Sequence, residues 1–310
     1  MKSFDLIGDI HGRADELKVL LTKLGYEKQS GCYRHPERSA IFLGDLIDRG
    51  HQNREVIQIV RSMVDAGAAR AVMGNHEYNA ICFHTRHPKT GHYLRPHTEK
   101  NVHQHRSFLD EFGEALDERA DAVEWFSQLP LFLDLGNLRV VHACWHPEKI
   151  QELETTHPSM QMQDDLLFNS TCKGSTEWQI IETLLKGVEE KLPPKVSFSD
   201  KDGHQRTEIR TRWWHPEIRT FRDAALLFGE ELSRIPEIAF PTDKIIGYPA
   251  DAPPVFFGHY WLQGQPSVFR ENVACLDYSV AKPGGSLCCY RWEGERRLSN
   301  GNFVSVPRIC

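Results

Sequence analysis

Five apolar runs in this chain each end on a side chain that can bind a metal ion: SFDLIGDIHG, AIFLGDLIDRG, AVMGNHE, LRVVHACW and PVFFGHYW. Each run has the length of one buried strand. The groups at their carboxyl ends are Asp9, His11, Asp45, Asn75, His142 and His259. Ligands of open α/β sheets gather at that edge. Four of the five runs carry a glycine before or beside the polar group, where the strand must stop sharply and metal or phosphate must come close. Carboxylate, imidazole and amide oxygen suit Mn, Fe or Zn rather than a thiolate site. Six such groups are enough for two divalent metal ions sharing one carboxylate, an arrangement built for in-line displacement at phosphorus.

The order GDIHG, GDLIDRG, GNHE resembles the signature of the calcineurin-like metallophosphoesterases, and specifically their phosphoprotein phosphatase branch, which the DRG ending and the GNHE form mark. The resemblance is strong over residues 3–80, thinner at 131–146 and 253–262, and not seen between 147 and 240. It implies a dinuclear phosphoesterase on an α/β fold, a two-sheet β-sandwich flanked by helices. It further implies Asp9, His11 and Asp45 on one ion, and Asp45, Asn75, His142 and His259 on the other, with Asp45 bridging. A bridging hydroxide would then attack phosphorus in line.

Two positions depart from the wider pattern. His142-Ala143-Cys144 stands where the family has HGG, and Trp261 stands where many relatives have a second histidine after GH. His76, next to Asn75, is implied as the proton donor to the leaving oxygen, with Asp48 on its other ring nitrogen. Arg49 is the expected phosphate ligand, because a guanidinium fork suits two phosphoryl oxygens. The family carries a second arginine; Arg212 is the candidate and Arg210 the alternative.

Between these motifs, Ala14–Leu24 and Arg54–Ala66 read as helices, and Ala40–Leu43 and Ala69–Met73 as strands, a β-α-β-α-β opening. Residues 80–105 break that rhythm. Their histidines lack fixed helical spacing, so they are expected to be cap residues touching substrate or solvent rather than a third metal site. Helices are expected at His105–Leu116, Ala122–Leu129 and Thr176–Val188. Gly136-Asn137 signals a hairpin between Leu131–Leu135 and Leu138–His142. The last strands read as Val255–Phe257, Val273–Leu276 and Ser286–Trp292. The reading is one domain, with a core of 1–146 and 241–310 and a mostly helical insertion or cap over about 147–240.

A net charge of -6 gives no general pull toward nucleic acid or an anionic membrane. No stretch approaches the roughly 18 apolar residues of a membrane span. The chain enters a strand at Ser3, so no signal peptide is expected. Eight cysteines without a CxxC pair read as reduced thiols of a cytoplasmic protein. Cys144 reads as a small buried hydrophobe, because HACWHPEK makes no phosphate-cradling loop.

The function expected is hydrolysis of a phosphomonoester, on a phosphoprotein or a small molecule. A second possibility is a dinucleoside polyphosphate, whose bases Trp213-Trp214 or Tyr260-Trp261 could stack. A third is a non-catalytic phosphate-binding scaffold.

Overall fold

The structure, a computed structural model, describes residues 3–162, 164–199, 205–227 and 229–309. It divides into two compact units, one of Met1–Leu185 with Pro253–Cys310, the other Lys186–Ala252.

The first unit is built on two sheets. In the larger one, Ser3–Ile7 runs parallel to Arg38–Phe42, with Ile7 opposite Phe42. Arg38–Phe42 runs parallel to Ala69–Ala71. On its other side Ser3–Ile7 pairs antiparallel with Ser286–Trp292, which also carries Asp277–Tyr278 and Phe303–Pro307. In the smaller sheet, Val255–Phe257 lies parallel to both Val273–Cys275 and Arg139–Val141. Phe132–Asp134 closes that edge as the antiparallel arm of the expected hairpin. The sheets meet through side chains such as Phe256 and Tyr290, whose rings lie 5.0 Å apart. Strands such as Arg38–Phe42 and Val255–Phe257 are buried almost end to end, which is why they read as continuous apolar runs rather than alternating ones.

Ala14–Leu24 buries Leu17, Leu20, Leu21 and Leu24 on one face and stops at Gly25, whose φ of 92° only glycine adopts readily. Asn53–Asp65 buries Val56, Ile57, Val60 and Met63. Residues 80–105 are more regular than expected. Asn75–His84 is a helix, and Glu99–Gln104 a short second one. The helix expected at His105–Leu116 ends at Phe112 before Gly113, and the next begins at Leu116 rather than Ala122.

The helices Pro147–Thr156, Asp164–Ser170 and Thr176–Lys186 follow in the stretch read as an insertion. Those before Leu185 belong to the first unit, burying Ile150, Leu153, Ile180, Ile181, Leu184 and Leu185. From Glu189 the backbone pairs as short strands instead, Glu189–Lys191 with Glu208–Arg210 and Phe198–Ser199 with Gln205–Arg206. This second unit has a small core of its own, including Leu192, Phe198, Ile209, Phe221, Ile235 and Phe240. Residues 200–204 lie outside the described residues, as does Cys310. The seven described cysteines are free thiols, and all but Cys172 are buried. No described helix is long and apolar enough to cross a membrane.

Candidate metal centre

The five motif strands deliver their polar residues to one place. Asp9 and His11 follow Ser3–Ile7, Asp45 follows Arg38–Phe42, and Asn75 opens the helix after Ala69–Ala71. His142 and His259 follow Arg139–Val141 and Val255–Phe257. These are the carboxyl ends of mutually parallel strands in two sheets, which explains why residues far apart in sequence converge.

Asp45 stands at the middle. Its Oδ2 lies 3.6 Å from His11 Nε2 and its Oδ1 3.3 Å from His142 Nε2. Asn75 Oδ1 lies 3.2 Å from His142 Nε2 and 2.8 Å from His259 Nδ1. The ligand atoms of His11, Asp45 and His76 form one tight cluster, and those of Asp45, His142 and His259 another, each within 4.8 Å, with Asp45 common to both. Asp9 joins through its Oδ2, which accepts from the His259 backbone N–H at 3.0 Å.

These residues fit a cation pair. Asp9 Oδ1 and His11 Nε2 are buried with no hydrogen-bond partner, a costly state for polar atoms unless an ion takes them. Burial, followed by the nearby charges of Asp277 and Asp45, pushes the Asp9 carboxyl well above its usual range. Burial likewise opposes charge on Asp45, yet His142 and His76 beside it hold that carboxyl well below the usual range. Burial holds His11 neutral, its pKa lowered to about 3, as a metal ligand must be. Burial opposes charge on His142, yet Asp45 beside it pushes that imidazole up to about 10; bound divalent ions would take over this positive charge among the crowded buried carboxylates.

The backbone around the cluster is strained in a telling way. His11, Asp45, Asp48, Arg49, His259, Trp261 and Ser279 all take left-handed φ angles, and elsewhere only Ser30, Met160 and Lys195 do so among the described non-glycine residues. Such strain collects at functional sites, where surrounding structure over-determines it. The ligands themselves thus make the sharp turns. Gly74 and Gly258 are needed for close approach instead. A Cβ on Gly258 would sit 1.9 Å from Asp9 Oδ1, and one on Gly74 2.2 Å from the Asp45 backbone nitrogen.

His76 Nδ1 lies 2.6 Å from Asp48 Oδ2, while its Nε2 faces Asp45 Oδ2 at 4.0 Å. The Arg49 guanidinium carbon lies over the Trp261 ring, 3.6 Å from its centroid, and Trp261 packs near the His11 ring at 5.8 Å. The position without a second histidine is therefore filled by an indole that carries the phosphate-binding candidate.

Several residues that matter here escaped the sequence reading. Glu77 accepts from the backbone N–H groups of Gly74, Asp45 and Leu46, tying two ligand loops together. The capping pattern of GNHE, with glutamate three residues after the helix cap, could have found it. Asp277 receives the backbone N–H groups of Trp261 and Ser279 at 2.6 and 2.9 Å. It too follows a buried strand, in VACLD, but without a glycine.

The other residues read from the sequence have these surroundings. Trp213 and Trp214 are 1% and 2% exposed and Tyr260 6%, so none of them offers a face to a nucleobase. Arg212 belongs to the second unit, where its Nε donates to the Ala225 carbonyl at 2.9 Å. Arg210 pairs with Glu189 at 3.4 Å. Burial pushes the Cys144 thiol well above its usual range, which suits a core residue and not a nucleophile. Of the histidines in 84–105, His92, His97 and His103 are exposed and His84 is half-buried, whereas His105 is buried and meets Asp48.

Comparison with known proteins settles the family. Residues 2–259 match the calcineurin-like phosphoesterase family. The chain belongs to that family. It is 38% identical over 149 residues to an asymmetrical bis(5'-nucleosyl)-tetraphosphatase of Bacillus subtilis, covering 46% of this chain and 57% of that one. The chain thus spans little more than half the length of that relative. It is 27% identical over 299 residues to a symmetrical bis(5'-nucleosyl)-tetraphosphatase of Vibrio cholerae, covering 95% of this chain and 96% of the other. Its fold resembles that of a cold-active protein tyrosine phosphatase of a Shewanella species, with a TM-score of 0.52 and 18% identity over 96% of this chain and 80% of that one.

Proposed function

We propose that this phosphoesterase-family chain is a metal-dependent hydrolase of phosphate esters or anhydrides, working with two divalent ions. The observation that carries the reading is the division of Asp45, one oxygen toward His11 and the other toward His142. When bound, such ions make a water nucleophilic near neutral pH and neutralise charge on the phosphoryl group. Asp9 and His11 would hold one, Asn75, His142 and His259 the other, and Asp45 both. Manganese suits the oxygen and nitrogen donors.

The chain's own residues do the rest. Arg49, kept in place by Trp261, binds phosphoryl oxygens and stabilises charge developing on them. His76, oriented through Nδ1 by Asp48, gives a proton from Nε2 to the departing oxygen. Buried free thiols suit a reducing compartment, so the cytoplasm is the proposed location.

Two substrate classes stand beside each other. Phosphomonoesters on proteins or small molecules are the first. Dinucleoside tetraphosphates are the second, supported by the printed names of the relatives from Bacillus subtilis and Vibrio cholerae. Rates measured with Mn on phosphoserine and phosphotyrosine peptides, a dinucleoside tetraphosphate, an RNA 5′-phosphate and bis-p-nitrophenyl phosphate separate them. Hydrolysis of p-nitrophenyl phosphate should need added metal and stop with EDTA. Full activity after exhaustive chelation, with no metal by elemental analysis, sinks the dinuclear reading. Phosphate binding without turnover of any substrate leaves only a scaffold.

A further inference from the structure

Two histidines of the irregular 84–105 segment end beside the His76–Asp48 pair. His105 is 5% exposed, and its Nδ1 lies 2.8 Å from Asp48 Oδ1. The other carboxylate oxygen, Oδ2, is the one that meets His76 Nδ1 at 2.6 Å. His84 Nε2 in turn lies 3.3 Å from His105 Nε2. An ionised carboxylate only accepts, so both Nδ1 atoms carry protons and donate. The Nε2 contact holds one proton, with one ring donating and the other accepting.

The arrangement is mechanically closed. His76 sits in the first turn of the Asn75–His84 helix and His84 at its last residue. The His105 ring stacks on Phe108, with centroids 4.6 Å apart at 16°, and leans on Phe83 at 5.3 Å. Both ends of the helix that carries His76 are therefore tied to the same carboxylate. With a donor on only one oxygen, a buried carboxylate leaves the other unsatisfied and is free to exchange the two by rotation. A donor on each oxygen fixes its plane.

We propose that His105 is a positioning residue, holding the Asp48 carboxylate plane so that His76 Nε2 stays aimed at the leaving oxygen, with His84 holding His105. This rests on the reading of His76 as proton donor. Burial opposes the charge on Asp48, but hydrogen bonds from His105 and then His76 hold its carboxyl down at about 2. Burial, and then His105 beside it, lowers His84 to about 3, which keeps that end of the chain uncharged.

The test compares His105→Leu, which removes the donor at similar bulk, with His105→Asn, which leaves an N–H where Nδ1 stood. On phenyl phosphate, kcat of His105→Leu should fall about 10–100-fold, with KM and metal content unchanged. The loss should shrink on p-nitrophenyl phosphate, and His105→Asn should recover most of the rate. Placed in an Asp48→Asn background, His105→Leu should cost nothing further. Equal rates for the Leu and Asn variants, or a full loss persisting in the Asp48→Asn background, overturns the proposal. The unaltered enzyme supplies a readout that depends on no variant folding: imidazole nitrogen NMR should find Nδ1 protonated on both His76 and His105. An unprotonated His105 Nδ1 overturns it too. Failure of the proton-donor reading looks different. His76→Asn would then slow phenyl and p-nitrophenyl phosphate equally, while the His105 Nδ1 proton remained.

Discussion

The backbone N–H of His259 donates to Asp9 Oδ2 at 3.0 Å across 250 positions of sequence. This bond ties the end of a strand in the smaller sheet to the end of the first strand in the larger one. Gly258, just before it, leaves room for Asp9 Oδ1 at a distance no side chain tolerates. Gly258→Ala should therefore push Asp9 out of line and lower metal affinity about 10–100-fold. Isothermal titration with Mn checks it; unchanged affinity would show that Asp9 does not need this close approach.

Asp45→Asn should do more damage than Asp9→Asn. Asp45 belongs to both ligand clusters, whereas Asp9 is held beside one strand end. Elemental analysis should find both ions depleted in Asp45→Asn and one retained in Asp9→Asn. Equal metal content and equal residual activity in the two variants would contradict the bridging role.

His76→Asn should keep both metals yet lose about 10²–10⁴-fold on poor leaving groups. Its Nδ1 is taken by Asp48 and its Nε2 faces the cluster, so the proton it offers matters most where the leaving oxygen is basic. p-Nitrophenolate leaves without help, and there the loss should be small. Metal loss with equal slowing on every substrate would make His76 a ligand instead.

Acid should remove a specific part of the stability. The Asp48 carboxyl is opposed by burial but held at about 2 by His105 and His76, below the ordinary value near 4. A depressed acid stabilises the fold above its unfolded pKa, and that stability is lost as pH falls through the folded one. The contribution is about 2 kcal/mol at neutral pH. Urea melts of the native chain and of Asp48→Asn should therefore differ most above pH 4 and converge toward pH 2. A gap that stays constant over that range would mean that Asp48 is not held ionised.

Trp261→Ala should loosen Arg49 while removing no metal ligand. A cation over an indole face contributes about 0.5–2 kcal/mol, and here the ring also sets where the guanidinium lies. KM for p-nitrophenyl phosphate should rise several-fold while metal content holds. An unchanged KM would show that Arg49 keeps its place without the ring.

The sequence by itself determined the strand ends and what they carry. GDIHG, GDLIDRG and GNHE are local strings, and the burial of SFDLI, RSAIF and VFF on both faces leaves a local apolar signature. The helix Ala14–Leu24 was legible for the same reason, its leucines recurring at helical spacing before a glycine stop. Only the tertiary structure decided which residues support those ligands. Nothing near His105 announces that it meets Asp48, 57 positions away. Nothing in GHYW announces that Trp261 lies under Arg49 rather than against a base. Trp213 and Trp214 look like a stacking pair in sequence, yet burial removes their faces. Periodicity and turn chemistry act over a few residues and can be read along the chain. The partner of a buried polar side chain is set by which strand ends and helix ends the packed sheets bring together, and that is written only in three dimensions.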